Sequence, residues 1–124
     1  LGDQDSTIRT LAGKIQQQTN SGNIILKLGS RGIFCLHKFD NRKTFNFSVD
    51  SFANSIADPV GAGDALLAYA TLTLFKTKSL ITASIIGSIA AACECEIDGN
   101  IPVRQENILN KLNVVEKMMS YKLQ

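Results

Sequence analysis

Seven residues, Asp58-Pro59-Val60-Gly61-Ala62-Gly63-Asp64, place two acids, two glycines and a proline just before the apolar run at residues 65–75. A helix starting near Gly61 presents its first backbone N–H groups without intrahelical partners, at the positive end of the helix dipole. Glycine lets an anion approach the backbone closely, with no Cβ in the way. Gly61, Ala62 and Gly63 therefore suit a cradle for phosphate oxygens or for a developing negative charge. Asp64 falls at the rim of that cradle. A carboxylate there repels the anion, so it suits different work, taking the proton of a hydroxyl as that hydroxyl attacks phosphorus. Pro59 fixes the entry to the turn and keeps Asp58 extended. The plainer alternative is a glycine turn whose first-turn acid matches the dipole. The pattern is not a Walker A loop, since no Gly-Lys-Ser/Thr follows, nor a complete GxGxxG.

This turn needs elements to hold it. Residues 61–75 read as a helix that is apolar nearly all round, and so as a buried one, in which an ionised Asp64 is costly unless something uses it. Lys76-Thr77-Lys78 interrupts the run, and residues 80–97 form a second apolar helix whose alanines and serines permit close packing. Asp98-Gly99-Asn100 ends it. Pro102 leads into a last helix with Ile108, Leu112, Val115 and Met119 on one stripe. Upstream, residues 3–19 read as an amphipathic helix with Ile8, Leu11 and Ile15 on its apolar face and Asp3 or Asp5 as its cap. Asn20-Ser21-Gly22 stops it. Residues 23–28 form a short, almost unbroken apolar strand of the kind found in the interior of a parallel sheet. A tight glycine turn, Gly29-Ser30-Arg31-Gly32, precedes a β-hairpin of residues 33–38 and 44–49 around Asp40-Asn41-Arg42. Residues 51–57 read as a loop or short strand.

Composition narrows the classes of function. The 124 residues fit a single domain, 1–124, and 44% hydrophobic content supports a core. Thirteen basic and eleven acidic residues give a net charge of +2, too little to draw the chain to nucleic acid or to a membrane surface. No apolar stretch reaches the roughly 18 residues that a membrane span needs. The three cysteines, two of them in Cys93-Glu94-Cys95, suit a reduced, cytoplasmic setting and core positions. A metal site built from Cys35, His37, Cys93 and Cys95 lacks the usual zinc spacing. A chain opening on Leu1 rather than methionine reads as a fragment or a processed product.

The stretch DPVGAGDALLAYA resembles the C-terminal motif of ribokinase-like (PfkB) carbohydrate kinases, usually written Asp-Thr-x-Gly-Ala-Gly-Asp. The likeness covers Asp58, Gly61, Ala62, Gly63 and Asp64. LKLGSRGIF resembles the family's strand and Gly-x-x-Gly segment, in the right order and at the right separation. AAACECEIDGNIP stands where the family has a small-residue helix and a Gly…Pro loop beside the adenine and a monovalent cation. The resemblance implies the C-terminal part of a ribokinase-like, three-layer αβα, Rossmann-like α/β fold, with a β-hairpin after the Gly-x-x-Gly turn.

Residue by residue, the resemblance implies that Asp64 is the base that deprotonates a sugar hydroxyl and that Gly61, Ala62 and Gly63 form the anion hole for the transferred phosphoryl group. It implies that Lys27, Gly29, Ser30 and Gly32 line the nucleotide side, although Lys27 reads equally well as a strand residue at the sheet edge. Asp58, the Val60 carbonyl and Gly99 resemble part of a potassium site. ATP and Mg²⁺ are the implied cofactors, with K⁺ as a further one. Pro59 departs from the family's threonine, and residues 93–98 do not follow its common pattern. The family's sugar-binding residues, β lid and Asn-x-x-Glu segment, the last linked to magnesium and phosphate, all lie upstream in longer chains and are not found here. The expectation is thus a C-terminal portion, inactive alone, of a kinase acting on a sugar or sugar phosphate. The motif looks closer to the heptose-kinase-like branch than to ribokinase itself. The alternatives are a non-catalytic nucleotide- or phosphate-binding module, and a ribokinase-fold kinase of nucleosides or vitamins. Surface that the upstream half would cover favours self-association.

Overall fold

A computed structural model describes residues 2–40, 43–53, 59–97 and 101–123, excepting the side chains of residues 2–5 and 121–123. The chain divides into two compact units, residues 1–50 and 51–124, each with its own core.

The first unit holds helix α1 (Gly2–Thr19) and strands β1 (Asn23–Lys27), β2 (Ile33–Lys38) and β3 (Thr44–Val49). The strands form one antiparallel sheet in the order β1-β2-β3, with Ile25 opposite Cys35 and Cys35 opposite Phe47. The period of two in a strand puts Ile24, Leu26, Phe34 and Leu36 on one face. That face packs on α1 through Ala12, with Ile8 and Leu28 beside it. The expected stripe on α1 is therefore shifted. Ile8, Ala12 and Gln16 follow each other at four-residue steps toward the sheet, and Leu11 is exposed. A small residue wins the central place because the helix lies close to the sheet. Gln16 is buried and donates from Nε2 to the Gly22 carbonyl oxygen at 3.5 Å, which ties the end of α1 to the start of β1. Asp3 and Asp5 lie inside α1 rather than before it, so neither is its N-cap.

The hairpin of β2 and β3 has the expected bounds, although its tip at Asn41 and Arg42 lies outside the described residues. β1 differs from expectation. Among the described residues it is half-buried, is the outer strand of the three, and pairs antiparallel with β2, not parallel. The cause is local: the turn at residues 29–32 is too short for a crossover and sends the chain straight back.

The second unit holds helices α2 (Ala62–Thr77), α3 (Leu80–Glu96) and α4 (Gln105–Leu123). A two-residue link turns α2 back onto α3. Lys78 takes a left-handed conformation, φ 57°, and closes α2 with its N–H on the Leu74 carbonyl at 2.8 Å. Ser79 caps α3, its Oγ accepting from the Thr82 N–H at 3.2 Å. α3 is the buried helix, with ten buried residues, whereas α2 buries only Leu66 and Ala70. The expectation of a fully buried α2 is therefore corrected: Leu67 and Phe75 are 65% and 73% exposed. Apolar composition all round records what a helix can bury, and among the described residues of this unit α3 is the neighbour packed closely along it. The stripe on α4 fades along its length. Ile108 is buried, Leu112 and Val115 are half-buried, and Met119 is exposed.

Candidate phosphoryl-transfer site

The turn before α2 opens on a left-handed glycine. Gly61 holds φ 89°, ψ −12°, a left-handed conformation that costs an L-residue about 1–2 kcal/mol. Ala62 begins the helix, its N–H meeting the Pro59 carbonyl at 3.3 Å, and the Ala65 N–H closes on the Gly61 carbonyl at 3.0 Å. Among the described residues no side chain caps this helix start. The Gly63 and Asp64 amides fall in the first turn, where the helix supplies no acceptor. The Ala62 amide, expected in the cradle, is already engaged with Pro59, so any anion cradle at this turn would rest on its neighbours.

Gly63 is the informative residue. Its φ is not positive, so the backbone does not demand glycine there. Glycine inside a helix costs roughly 0.5–1 kcal/mol relative to alanine. Glycine at this position brings no Cβ to the first turn of α2.

Asp64 is exposed in the first turn of α2. Its ionised form therefore needs no partner to offset burial, and the cost argued from a buried helix does not arise. What remains is placement: a carboxylate in contact with solvent, one residue past the glycines, at the positive end of a 16-residue helix.

The glycine turn of the first unit is a single turn of 3₁₀ helix at Gly29–Arg31. The Leu28 N–H meets the Gly32 carbonyl at 2.8 Å, and the Gly32 N–H meets the Gly29 carbonyl at 3.1 Å. Its two glycines have different reasons. Gly32, at φ 89° and ψ −135°, lies where side chains rarely go, and a Cβ there would run into the Val49 carbonyl oxygen and come within 2.9 Å of the Asp50 backbone. That is a sufficient structural cause. Gly29 has φ 61°, but a Cβ on it would meet nothing within 4 Å, so the space beside it is open. Ser30 and Lys27 are exposed. Each of these residues is placed within its own unit only.

Of the residues implied for a potassium site, Val60 is described and exposed, whereas Asp58 and Gly99 lie outside the described residues, as does the expected stop at residues 98–100. Cys35 and Cys93 are buried thiols, in keeping with core positions. Burial, and after it the charge of Glu96, pushes the Cys93 thiol above its ordinary value, with Lys111 acting in the opposite sense. Among the described residues no helix is long and apolar enough to cross a membrane.

The sequence reading missed three contacts that fasten the second unit. The Tyr69 hydroxyl donates to the Val103 carbonyl oxygen at 2.7 Å. Lys111 Nζ meets Glu96 Oε1 at 2.5 Å, tying α4 to the end of α3. Gly87 lets α3 touch α2. Only the last had a signal in the sequence, a glycine inside an apolar helix.

A family model described as pfkB family carbohydrate kinase matches residues 1–105. Ribokinase from Thermotoga maritima is 27% identical, with a TM-score of 0.69, over 82% of this chain and 33% of that one. A microbiome-derived acarbose kinase has a TM-score of 0.70 at 16% identity, over 84% of this chain and 36% of its own. The nucleoside kinase of Methanocaldococcus jannaschii, an archaeal member of the ribokinase family, has a TM-score of 0.60 at 23% identity, over 74% and 30%. The fold is therefore ribokinase-like α/β, and the chain spans about a third of the length of these structures. No curated protein matches it in sequence.

Proposed function

Because the chain belongs to the pfkB family of carbohydrate kinases, we propose that it is the C-terminal portion of an ATP-dependent phosphotransferase acting on a hydroxyl of a sugar or sugar phosphate. The observation that carries the reading is the start of α2, where Gly61 is left-handed, no side chain among the described residues caps the helix, and Gly63 and Asp64 stand in the first turn. In this reading the amides of the 61–64 turn stabilise the charge on the transferred phosphoryl group. Asp64 accepts the proton of the acceptor hydroxyl as its oxygen attacks phosphorus. Lys27, Gly29 and Ser30 serve the nucleotide side, where the open space at Gly29 suits a ligand. Magnesium would neutralise the phosphate charge when bound, and nothing described in this chain is assigned to hold it. A potassium ion at Asp58, Val60 and Gly99 rests on resemblance alone, and a cytoplasmic setting on the cysteine usage. We further take the acceptor to be of the heptose-phosphate kind, on the likeness of the 58–70 stretch.

Alone, the 124 residues would bind nucleotide at most. Two assays test the proposal. The intact kinase, offered ATP with sugars, sugar phosphates and nucleosides, turns over a sugar or sugar phosphate fastest. The isolated chain shows no turnover, and calorimetry with ATP and ADP reads whether it binds. Preference for a nucleoside overturns the acceptor class, and robust phosphorylation by the isolated chain overturns its incompleteness.

A further inference from the structure

One core cluster of the second unit gathers the chain on both sides of the candidate turn. Phe52, twelve residues before Asp64, packs against it, as do Ala65 and Tyr69 just after, around Ile89 and Cys93 of α3 and Ile108 of α4. Phe52 and the first turns of α2 are thus held by one cluster. Of the side chains in the cluster, Tyr69 adds a directed bond, its hydroxyl donating to the Val103 carbonyl oxygen at 2.7 Å. Apolar contacts resist separation but allow a helix to slide and roll, whereas a hydrogen bond of this length fixes direction. Tyr69 follows Asp64 by five residues, about 7.5 Å along the helix axis at 1.5 Å per residue. Roll or slip of α2 at Tyr69 therefore moves the Asp64 carboxylate almost undiminished.

We propose that Tyr69 is a positioning residue for the transfer step: its bond to the Val103 carbonyl sets the roll of α2, and with it where Asp64 and the 61–63 turn stand. The inference rests on the reading of Asp64 as the base. Tyr69 touches no substrate and acts through the helix. A displacement of a catalytic group well short of 1 Å changes rate, since misplacement by 1 Å costs about a hundredfold.

The test is Tyr69→Phe in the intact kinase, which keeps the ring in the cluster and removes the hydroxyl. The expected result is a fall in kcat of about five- to tenfold with both KM values within about twofold. Ile108→Val, in the same cluster, removes a methylene and no hydrogen bond, and should lower thermal stability while leaving kcat unchanged. Wild-type kcat in Tyr69→Phe overturns the inference. So does a loss of kcat in Ile108→Val proportional to its loss of stability, because then Tyr69 does no more than support the fold. Asp64→Asn is measured beside them. If it keeps full turnover, the reading of the site falls, and this inference with it; if it loses turnover while Tyr69→Phe does not, the positioning role alone falls.

Discussion

Gly87 of α3 lies directly against Ala70 of α2: a Cβ built on Gly87 would stand 2.9 Å from the Ala70 Cβ and 3.1 Å from the Leu66 carbonyl oxygen. Leu66 and Ala70 are also the two buried residues of α2. The helix that carries the candidate base is thus seated on its neighbour at the one place where α3 has no side chain. Gly87→Ala must push the helices apart, because the obstacle is another helix's Cβ and backbone and not a flexible tip. The expected cost is about 1–3 kcal/mol, read by urea unfolding. Ala70→Gly added to it should return part of that loss, since the two positions are in contact and so are not additive.

The two glycines of the first unit's turn should separate. Gly32→Ala is expected to destabilise by about 3 kcal/mol or more, from its backbone conformation together with the collision at Val49 and Asp50. Gly29→Ala has open space and only a left-handed φ of 61° against it, a cost of about 1–2 kcal/mol. If Gly29 faces nucleotide, Gly29→Ala weakens ATP binding in the intact kinase by more than its stability loss explains, whereas an unchanged ATP Kd removes Gly29 from the site.

The pair of Lys111 and Glu96 should act as a fastener and not as a source of net stability. Lys111 is nearly buried, and Glu96 keeps about a quarter of its side-chain exposure. Lys111→Met leaves a half-buried carboxylate without its ammonium and should cost about 2 kcal/mol, below the 3–5 kcal/mol of a fully buried pair. Lys111→Met with Glu96→Gln should recover most of it in the same unfolding experiment. A double variant as unstable as the single one would mean that packing of the lysine stem carries the effect.

Much of this arrangement was legible in the chain itself. The hairpin bounds, the glycine turns and the order of helices follow from period and punctuation, and Gly61 to Asp64 stand out as a candidate site by residue type. What was not legible depends on neighbours. Nothing in residues 23–28 says whether the adjacent strand runs parallel, because an apolar run fits either pairing, and here the turn to β2 decides. Residues 62–77 are apolar all round, yet what covers a helix is a property of the fold around it, so Leu67 and Phe75 are exposed. On α1, Ala12 takes the central place from Leu11 because closeness to the sheet counts for more than hydrophobicity. The Tyr69 bond joins residues 34 positions apart and leaves no periodic trace.

The central claim is that Asp64 takes the proton of an acceptor hydroxyl beside the turn at Gly61, Ala62 and Gly63. Its most direct measurement is single-turnover phosphoryl transfer by the intact kinase carrying Asp64→Asn, with the ATP Kd measured on the same protein. The exposure of Asp64 makes the substitution structurally mild. The account predicts a transfer rate lower by about 10²–10⁴-fold, the range of general base catalysis, with the ATP Kd within about twofold. A transfer rate close to that of the unaltered enzyme would contradict it.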